Sequence, residues 1–290
     1  MSTPPPEDEQ DFSHWINNSE TVEDVASAAA MDKLRALLDD DSSSENMFEL
    51  GHWLHFAPTA PQSELGVDGH PKLGGFMPPI PFPRRMWASS KIAFHQPIPL
   101  GQKITRTTTI ESVTPKKGST GDLIFVVLRH DVSTAEGLAL TEHQTIVYRE
   151  APKDADSPES AAAPARQVSG EPEGWDWVDT AQPNETALFR FSALTFNSHR
   201  IHYDYAYATQ VEKYPGLVVH GPFSATMLLH AFLKKHPEAT VTGFSFQARA
   251  PLFVNETLRI CGRAKEDGTE ELAILDPNAK SAVVATVQYN

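Results

Sequence analysis

One order of elements occurs twice in this 290-residue chain, and it limits the fold more than any other feature. Between Lys91 and Glu150 the runs IAFHQPI, KITRTTTIESV, DLIFVVLRHDVST and LALTEHQTIVYRE alternate apolar and β-branched residues with polar ones. A period of two buries one face of a strand, so four strands are predicted, with turns at Lys116-Lys117-Gly118 and Glu136-Gly137. After Lys235 the runs GFSFQARAPLF, TLRICGRA, EELAILD and SAVVATVQY repeat the pattern, with turns at Asp267-Gly268 and Asp276-Pro277-Asn278. A helical run precedes each set. The first is TVEDVASAAAMDKLRALL, with Thr21 placed to cap it and acids in its first turn. The second runs from Pro222 to Lys235. The halves also share a spacing: Pro97-Ile98-x-x-Gly101-Gln102-x-Ile104 matches Pro251-Leu252-x-x-Asn255-Glu256-x-Leu258 at one constant offset. Gly and Asn both tolerate left-handed backbone, so the same turn is predicted at both places. The expectation is an α+β chain of two similar units, each an antiparallel sheet curled around a helix, joined edge to edge.

The units are expected at 21–150 and 176–290. Residues 151–175 are read as a linker, because 151–171 hold Ala, Pro, Ser and charge but almost no large apolar side chain. Residues 1–20 are read as an acidic flexible start. Net charge is −14, and residues 1–50 hold thirteen acids against Lys33 and Arg35. This charge argues against nucleic acid or an anionic membrane as partner. No apolar run approaches a membrane span, and the acidic start is unlike an Arg-rich transit peptide, so a cytoplasmic protein is expected. Cys261 stands alone, which excludes an internal disulfide or a cysteine-built metal site; it is read as a small buried strand residue. Residues 51–87 carry many Gly and Pro with little periodicity. Trp53, Phe56, Phe76, Met77, Ile80, Phe82 and Trp87 argue for an ordered excursion that packs over something.

The chemically dense stretch runs from Phe191 to Phe223, FSALTFNSHRIHYDYAYATQVEKYPGLVVHGPF. Asn197 precedes His202 by five residues, and a turn between a strand and a helix would bring both into one crevice. Proline at a first helical position fits because its missing N–H would be unpaired anyway. Gly221 then stands at a helix N-terminus with a free N–H, a site for an oxyanion. From spacing alone, a turn and a helix cap explain Asn197 and His202 better than catalysis does.

These residues resemble the motif of the MaoC-like, (R)-specific enoyl-CoA hydratases, which have the hot dog fold. In that pattern Asn197 takes the place of the catalytic aspartate, His202 that of the catalytic histidine, and Gly221 that of the oxyanion glycine. His199 and Arg200 depart from the Asn-Pro found there. A narrower subgroup shares the departure: mesaconyl-C4-CoA hydratase, itaconyl-CoA hydratase and 3-hydroxyacyl thioester dehydratase type 2. Its blocks FNSHRIHYD, LGVDGHP (Leu65 to Pro71) and PRRMW (Pro83 to Trp87) stand here unaltered and in order. The resemblance covers the chain from about Trp15 onward and reverses the odds against catalysis. It implies a tandem double hot dog, a pseudo-dimer with one active site. The second half would carry the motif, and the first would supply the acyl-CoA groove.

The implied activity is reversible hydration of an enoyl-CoA, with a short branched or dicarboxylic acyl group such as mesaconyl-CoA or itaconyl-CoA. Coenzyme A then belongs to the substrate and no other cofactor is expected. Two alternatives stand: dehydration of a 3-hydroxyacyl group on an acyl carrier protein, and a non-catalytic acyl-thioester-binding module. Under the hydratase reading His202 carries protons, since its intrinsic pKa lies near working pH. Asn197, neither acid nor base, orients the water through its carbonyl. His199 shares the acid–base work or lies at the surface. His220 packs beneath the site; Tyr203 is read as substrate-side or core. Arg84 and Arg85, beside Trp87, are read as an anion clamp or as salt-bridged residues, and Arg200 as a second anion site. His52, His55 and His70 lack metal-site spacing, and no metal is expected. A homodimer is a further possibility.

Overall fold

The computed structural model describes residues 11–118, 121–150 and 172–290; residues 1–10 and, of the linker expected at 151–175, residues 151–171 lie outside them. Ten strands make one sheet: β1 (Ser19–Val25), β2 (Arg84–Phe94), β3 (Lys103–Gly118), β4 (Gly121–Thr134), β5 (Gly137–Arg149), β6 (Trp177–Ala181), β7 (Val241–Ala248), β8 (Leu258–Ala264), β9 (Thr269–Leu275) and β10 (Ser281–Tyr289). The lateral order is β1-β3-β4-β5-β2-β7-β10-β9-β8-β6, antiparallel throughout, so the second half repeats the first in reverse. At the seam Lys91 lies opposite Ser245. These two residues are separated by the same offset as the repeated spacing, which places a pseudo-two-fold axis between β2 and β7. The echo is structural: Gly101 has φ +86° and Asn255 φ +64°. Their surroundings also match. Met47 N–H donates to Ile98 O (2.8 Å) as Val219 N–H does to Leu252 O (2.8 Å), and Leu100 N–H donates to Glu45 O (2.9 Å) as Val254 N–H does to Leu217 O (3.0 Å). The chain is thus a double hot dog of the expected α+β class.

Three α-helices accompany the sheet among the described residues: α1 (Ala28–Leu38), α2 (Glu185–Thr195) and α3 (Gly221–Lys235). The helix expected from Thr21 is half strand. Thr21, Val22 and Val25 are β-branched, and they pair as β1 along the edge of β3, with Thr21 Oγ1 3.2 Å from Thr107 Oγ1. The true cap is Ser27, whose hydroxyl accepts from Ala30 N–H at 3.2 Å. Residues 11–20, expected to belong to a flexible start, are instead part of the fold, since Phe12 is buried and β1 begins at Ser19. Lys116 and Lys117, expected in a turn, continue β3 opposite Leu123 and Asp122.

In the second half α3 is buried on nearly all sides. Phe223, Leu228, Leu229 and Phe232 share a core with Leu258, Ile260, Leu272, Ile274 and Val287. The expected helix of the first half differs. α1 is the counterpart of α2: both end on a left-handed cap, Asp39 at φ 51° and Phe196 at φ 50°. In the place of α3 the first half has a single turn, Gly51–Leu54. The excursion follows it. Leu73, Phe76, Met77, Ile80 and Phe82 pack on Ile110, Ile124, Val126, Leu128 and Tyr148. The strand after it starts at Arg84, so Arg84, Arg85 and Trp87 belong to β2 rather than to the excursion.

A buried carboxylate ties this single turn to the seam. Glu142 accepts from Trp53 Nε1 (3.0 Å) and Ser90 Oγ (2.5 Å) and lies 2.9 Å from His52 Nε2; Ser90 Oγ in turn accepts from Trp87 Nε1 (2.9 Å). Burial acts to raise its pKa, but the hydrogen bond and charge of His52, with His130 and Ser90, outweigh it and hold the carboxyl at about 2. Cys261 is fully buried, and burial pushes its thiol up to about 11, as a packing residue requires.

Candidate active site

The turn bearing Asn197 follows a helix, α2, and not a strand. Asn184 caps α2 through Oδ1, accepting from Ala187 N–H at 2.9 Å. Phe196 ends it in the left-handed region. Asn197 Oδ1 then accepts from His199 N–H (2.9 Å), an Asx turn that directs the chain into the short helix Arg200–His202. The turn role expected from spacing is therefore real, and the side-chain amide N–H groups of Asn197 make no hydrogen bond among the described residues.

His202 is 7% exposed, and its Nδ1 is 2.7 Å from Val218 O. A carbonyl accepts only, so Nδ1 carries the proton and Nε2 presents a lone pair. The ring stacks on His220, with centroids 3.6 Å apart and planes at 20°. His220 lies 2.8 Å from Ser192 Oγ through Nε2, while its buried Nδ1 has no partner. The next residue, Gly221, opens α3. Its N–H donates to no acceptor among the described residues, and the nearest atom to a Cβ built on it is Trp87 O, at 3.6 Å.

Four imidazoles line up here: centroids are 4.3 Å apart for His70 and His199, 5.4 Å for His199 and His202, and 3.6 Å for His202 and His220. Burial lowers all four. His202 falls to about 3, with His199 as the second cause, and His199 to about 4, with Arg85 as the second cause. His70 and His220 lie well below the ordinary value for the same leading reason. All four are neutral at pH 7.

His70 was missed as a site residue, and so was Asp68. The sequence signal was the block LGVDGHP, which the chain docks onto the catalytic turn from 130 residues away. Ser198 Oγ donates to Gly69 O, Arg200 N–H to Asp68 O (2.9 Å), and Arg200 Nη1 to Val67 O (3.0 Å). A Cβ on Gly69 would stand 1.9 Å from Ser198 O, and its φ is +90°. Only glycine fits there. Asp68, His70 and His199 bring carboxylate and imidazole donor atoms within 4.8 Å of one another, the one such grouping among the described residues. The Arg85 guanidinium that depresses both imidazoles opposes a cation at this spot.

The three arginines separate clearly. Arg200 is held by Asp204 (Nη2–Oδ2 2.7 Å) and lies over the Tyr207 ring at 4.2 Å. It fastens the loop, and its expected anion site is filled by its own neighbour. Arg84 pairs with Glu212 (Nε–Oε2 2.8 Å), not with the acidic start. Arg85 makes no ion pair among the described residues. Tyr203 is half exposed and donates from its hydroxyl to Ser198 O (3.1 Å), which gives it to the turn. Trp87 is partly buried against Trp53 (5.1 Å) and Phe246 (6.2 Å), beside Gly221.

A lone-pair nitrogen beside an unpaired N–H at a helix start is equipped to move a proton while an oxyanion forms. The comparisons agree with that equipment. The family model of hydroxyacyl-thioester dehydratase type 2 matches residues 49–254. Mesaconyl-C(4)-CoA hydratase of Chloroflexus aurantiacus is 41% identical over 283 residues, covering 96% of this chain and 98% of that protein. The mitochondrial hydroxyacyl-thioester dehydratase type 2 of Schizosaccharomyces pombe is 30% identical over 274 residues, covering 83% and 88%. Among solved structures, HtdX of Mycobacterium tuberculosis superposes with TM-score 0.66 at 17% identity over 94% of this chain and all of that one. A MaoC-like dehydratase of Phytophthora capsici gives TM-score 0.66 at 14% identity, covering 94% and 95%. At these identities the structures speak for the fold.

Proposed function

The chain belongs to the hydroxyacyl-thioester dehydratase type 2 family, and from that premise we propose that it adds water reversibly across the α,β double bond of an enoyl-CoA thioester. The reverse direction dehydrates the matching 3-hydroxyacyl thioester. The relative named for mesaconyl-C4-CoA supports a short, branched, dicarboxylic acyl group here. CoA enters as part of the substrate. The observation that carries the reading is the fixed tautomer of His202, which leaves Nε2 open while the ring rests on the residue before Gly221.

In hydration the thioester oxygen sits at Gly221 N–H. Water gives a proton to His202 Nε2 as its oxygen bonds the β carbon. The π electrons move to the thioester oxygen, which Gly221 N–H stabilises by about 3 kcal/mol in comparable sites. A buried imidazolium is a strong acid, so His202 returns the proton to the α carbon as the enolate collapses. Asn197 holds the turn through Oδ1 and has amide N–H groups left to orient the water. Its oxygen keeps a second lone pair for that water, and the rival reading is a module that binds acyl thioesters without turnover. Turnover separates the two: loss of conjugated enoyl absorbance from crotonyl-CoA or mesaconyl-C4-CoA without release of thiol means hydration. His202→Ala should slow it roughly 10²-fold or more, the usual size of general acid–base work. An unslowed His202→Ala protein would remove His202 from the mechanism.

A further inference from the structure

We propose that Arg85 and the Tyr148 hydroxyl form a subsite for the free carboxylate of a dicarboxylic enoyl-CoA, adjoining the carbon that takes the water. The inference rests on the hydratase reading. It begins from elimination: Arg84 has Glu212 and Arg200 has Asp204, whereas Arg85 has no carboxylate at ion-pair distance among the described residues. Arg85 and Tyr148 are directly opposed on β2 and β5, so their side chains share one face of the sheet. Burial raises the phenol's pKa on balance, while the guanidinium, by its charge and a polar contact too poorly aligned to count as a hydrogen bond, acts to lower it, so Arg85 lies at the hydroxyl end of Tyr148.

Tyr148 is 1% exposed, and its hydroxyl has no hydrogen-bond partner among the described residues. A sealed hydroxyl without a partner is costly, and an unpaired guanidinium beside it adds to that cost. One ligand satisfies both: an anion with two acceptor oxygens, which matches the fork of an arginine. The same guanidinium acts on His70 and His199, whose rings are 4.3 Å apart, so Arg85 lies beside the row of imidazoles. Asp68, the acid in this cluster, already accepts the His70 backbone N–H through Oδ1 at 3.0 Å.

Substrate chemistry requires this placement. In a four-carbon enedioyl thioester the free carboxylate is attached to the β carbon, one bond from the new C–O bond. Its binding group must therefore adjoin the proton carrier, as Arg85 does through His199. Arg84 and Arg200 face their own carboxylates instead. A monocarboxylic acyl chain would leave Arg85 unpaired beside a buried hydroxyl, so the site should discriminate against it.

The test compares kcat/KM for mesaconyl-C4-CoA with that for crotonyl-CoA. Arg85→Gln should lower the ratio on the order of 10- to 100-fold, mainly through KM, and Arg85→Lys should recover part of it. Tyr148→Phe keeps the ring packing and should lower the ratio roughly 3- to 10-fold, which decides the matter if Arg85→Gln misfolds. An unchanged ratio in folded variants overturns the subsite. If the natural chain hydrates neither thioester, the hydratase reading has failed. Binding of succinyl-CoA against butyryl-CoA, followed by calorimetry, then still reads the carboxylate preference and its loss in Arg85→Gln.

Discussion

Acidification should destabilise this protein through its buried histidines. His199 and His202 lie near pKa 4 and 3, pushed down by burial first and by Arg85 and His199 respectively. In the unfolded chain both return to about 6.5. The folded values are depressed, so below pH 6.5 the unfolded state binds more protons and stability falls as pH falls. Each site costs about 1.4 kcal/mol per pH unit across its window. Going from pH 7 to pH 5 therefore removes about 2 kcal/mol per histidine, or about 4 kcal/mol for the pair. His70, His220, His130 and His230 are shifted in the same direction and add to the loss. Glu49, whose carboxyl burial raises, works the other way, and Glu142 loses its contribution only below about pH 4.5.

Thermal and urea unfolding at pH 7, 6 and 5 would measure this. For a chain of this size the pair alone corresponds to a fall in Tm of roughly 5–10 °C. His199→Gln should remove about half of the pH dependence assigned to the pair, because it deletes one of the two titrating groups. A Tm that is level between pH 7 and pH 5 would refute the reasoning. So would a His199→Gln protein with the natural slope.

Gly221→Ala should fold normally, because the new methyl meets only Trp87 O at an ordinary 3.6 Å, yet lose turnover by obstructing the oxyanion contact; unaffected kinetics would move the oxyanion site elsewhere. Arg200→Ala should release the 65–71 loop and slow crotonyl-CoA and mesaconyl-C4-CoA alike, since its guanidinium is spent on Asp204 and Val67; a loss confined to the dicarboxylic substrate would return the carboxylate role to Arg200. Glu142→Ala should cost about 3–5 kcal/mol in urea unfolding, because Trp53 Nε1, Ser90 Oγ and His52 lose a buried partner together; a cost under about 1 kcal/mol would show that water replaces it.

Local chemistry was legible in the sequence wherever it was local in space. The strands carry a strict period of two, and the Gly101 and Asn255 turns need a left-handed residue that only a few side chains supply. β1 was misread because acids beside Thr21 imitate a helix start, while its pairing with β3 depends on residues 78 to 90 positions away. α2 was missed because ALFRFSAL alternates like a strand and leaves Phe189 exposed at 65%. The helix is held by its Asn184 cap and by Leu188 and Phe191, both fully buried. Arg84 and Arg200 offered no clue to their pairing, since a guanidinium looks the same in sequence whether its carboxylate is four residues on, as Asp204 is, or across the fold, as Glu212 is.

A single site per chain, as proposed, accords with two departures from the pseudo-two-fold symmetry. Five residues, 40–44, connect the left-handed cap Asp39 to Glu45; twenty, 197–216, connect Phe196 to the equivalent Leu217. The whole catalytic turn lies in that longer connection, so the first half has no place for it. The first half departs in the opposite sense, keeping one turn where the second has the fifteen residues of α3 and spending the chain it saves on the excursion. By the register of the matching hydrogen bonds, Glu49 stands where Gly221 stands. An ionised carboxylate there would repel an oxyanion, and burial, which raises the Glu49 pKa, shows the place is not built to hold charge. The two departures then meet. The excursion's Gly69 touches the longer connection's Ser198 so closely that no side chain could intervene, and that contact brings His70 to His199. The first half thus lacks the helix start that bears Gly221 in the second and supplies instead the loop that packs on the Asn197 turn.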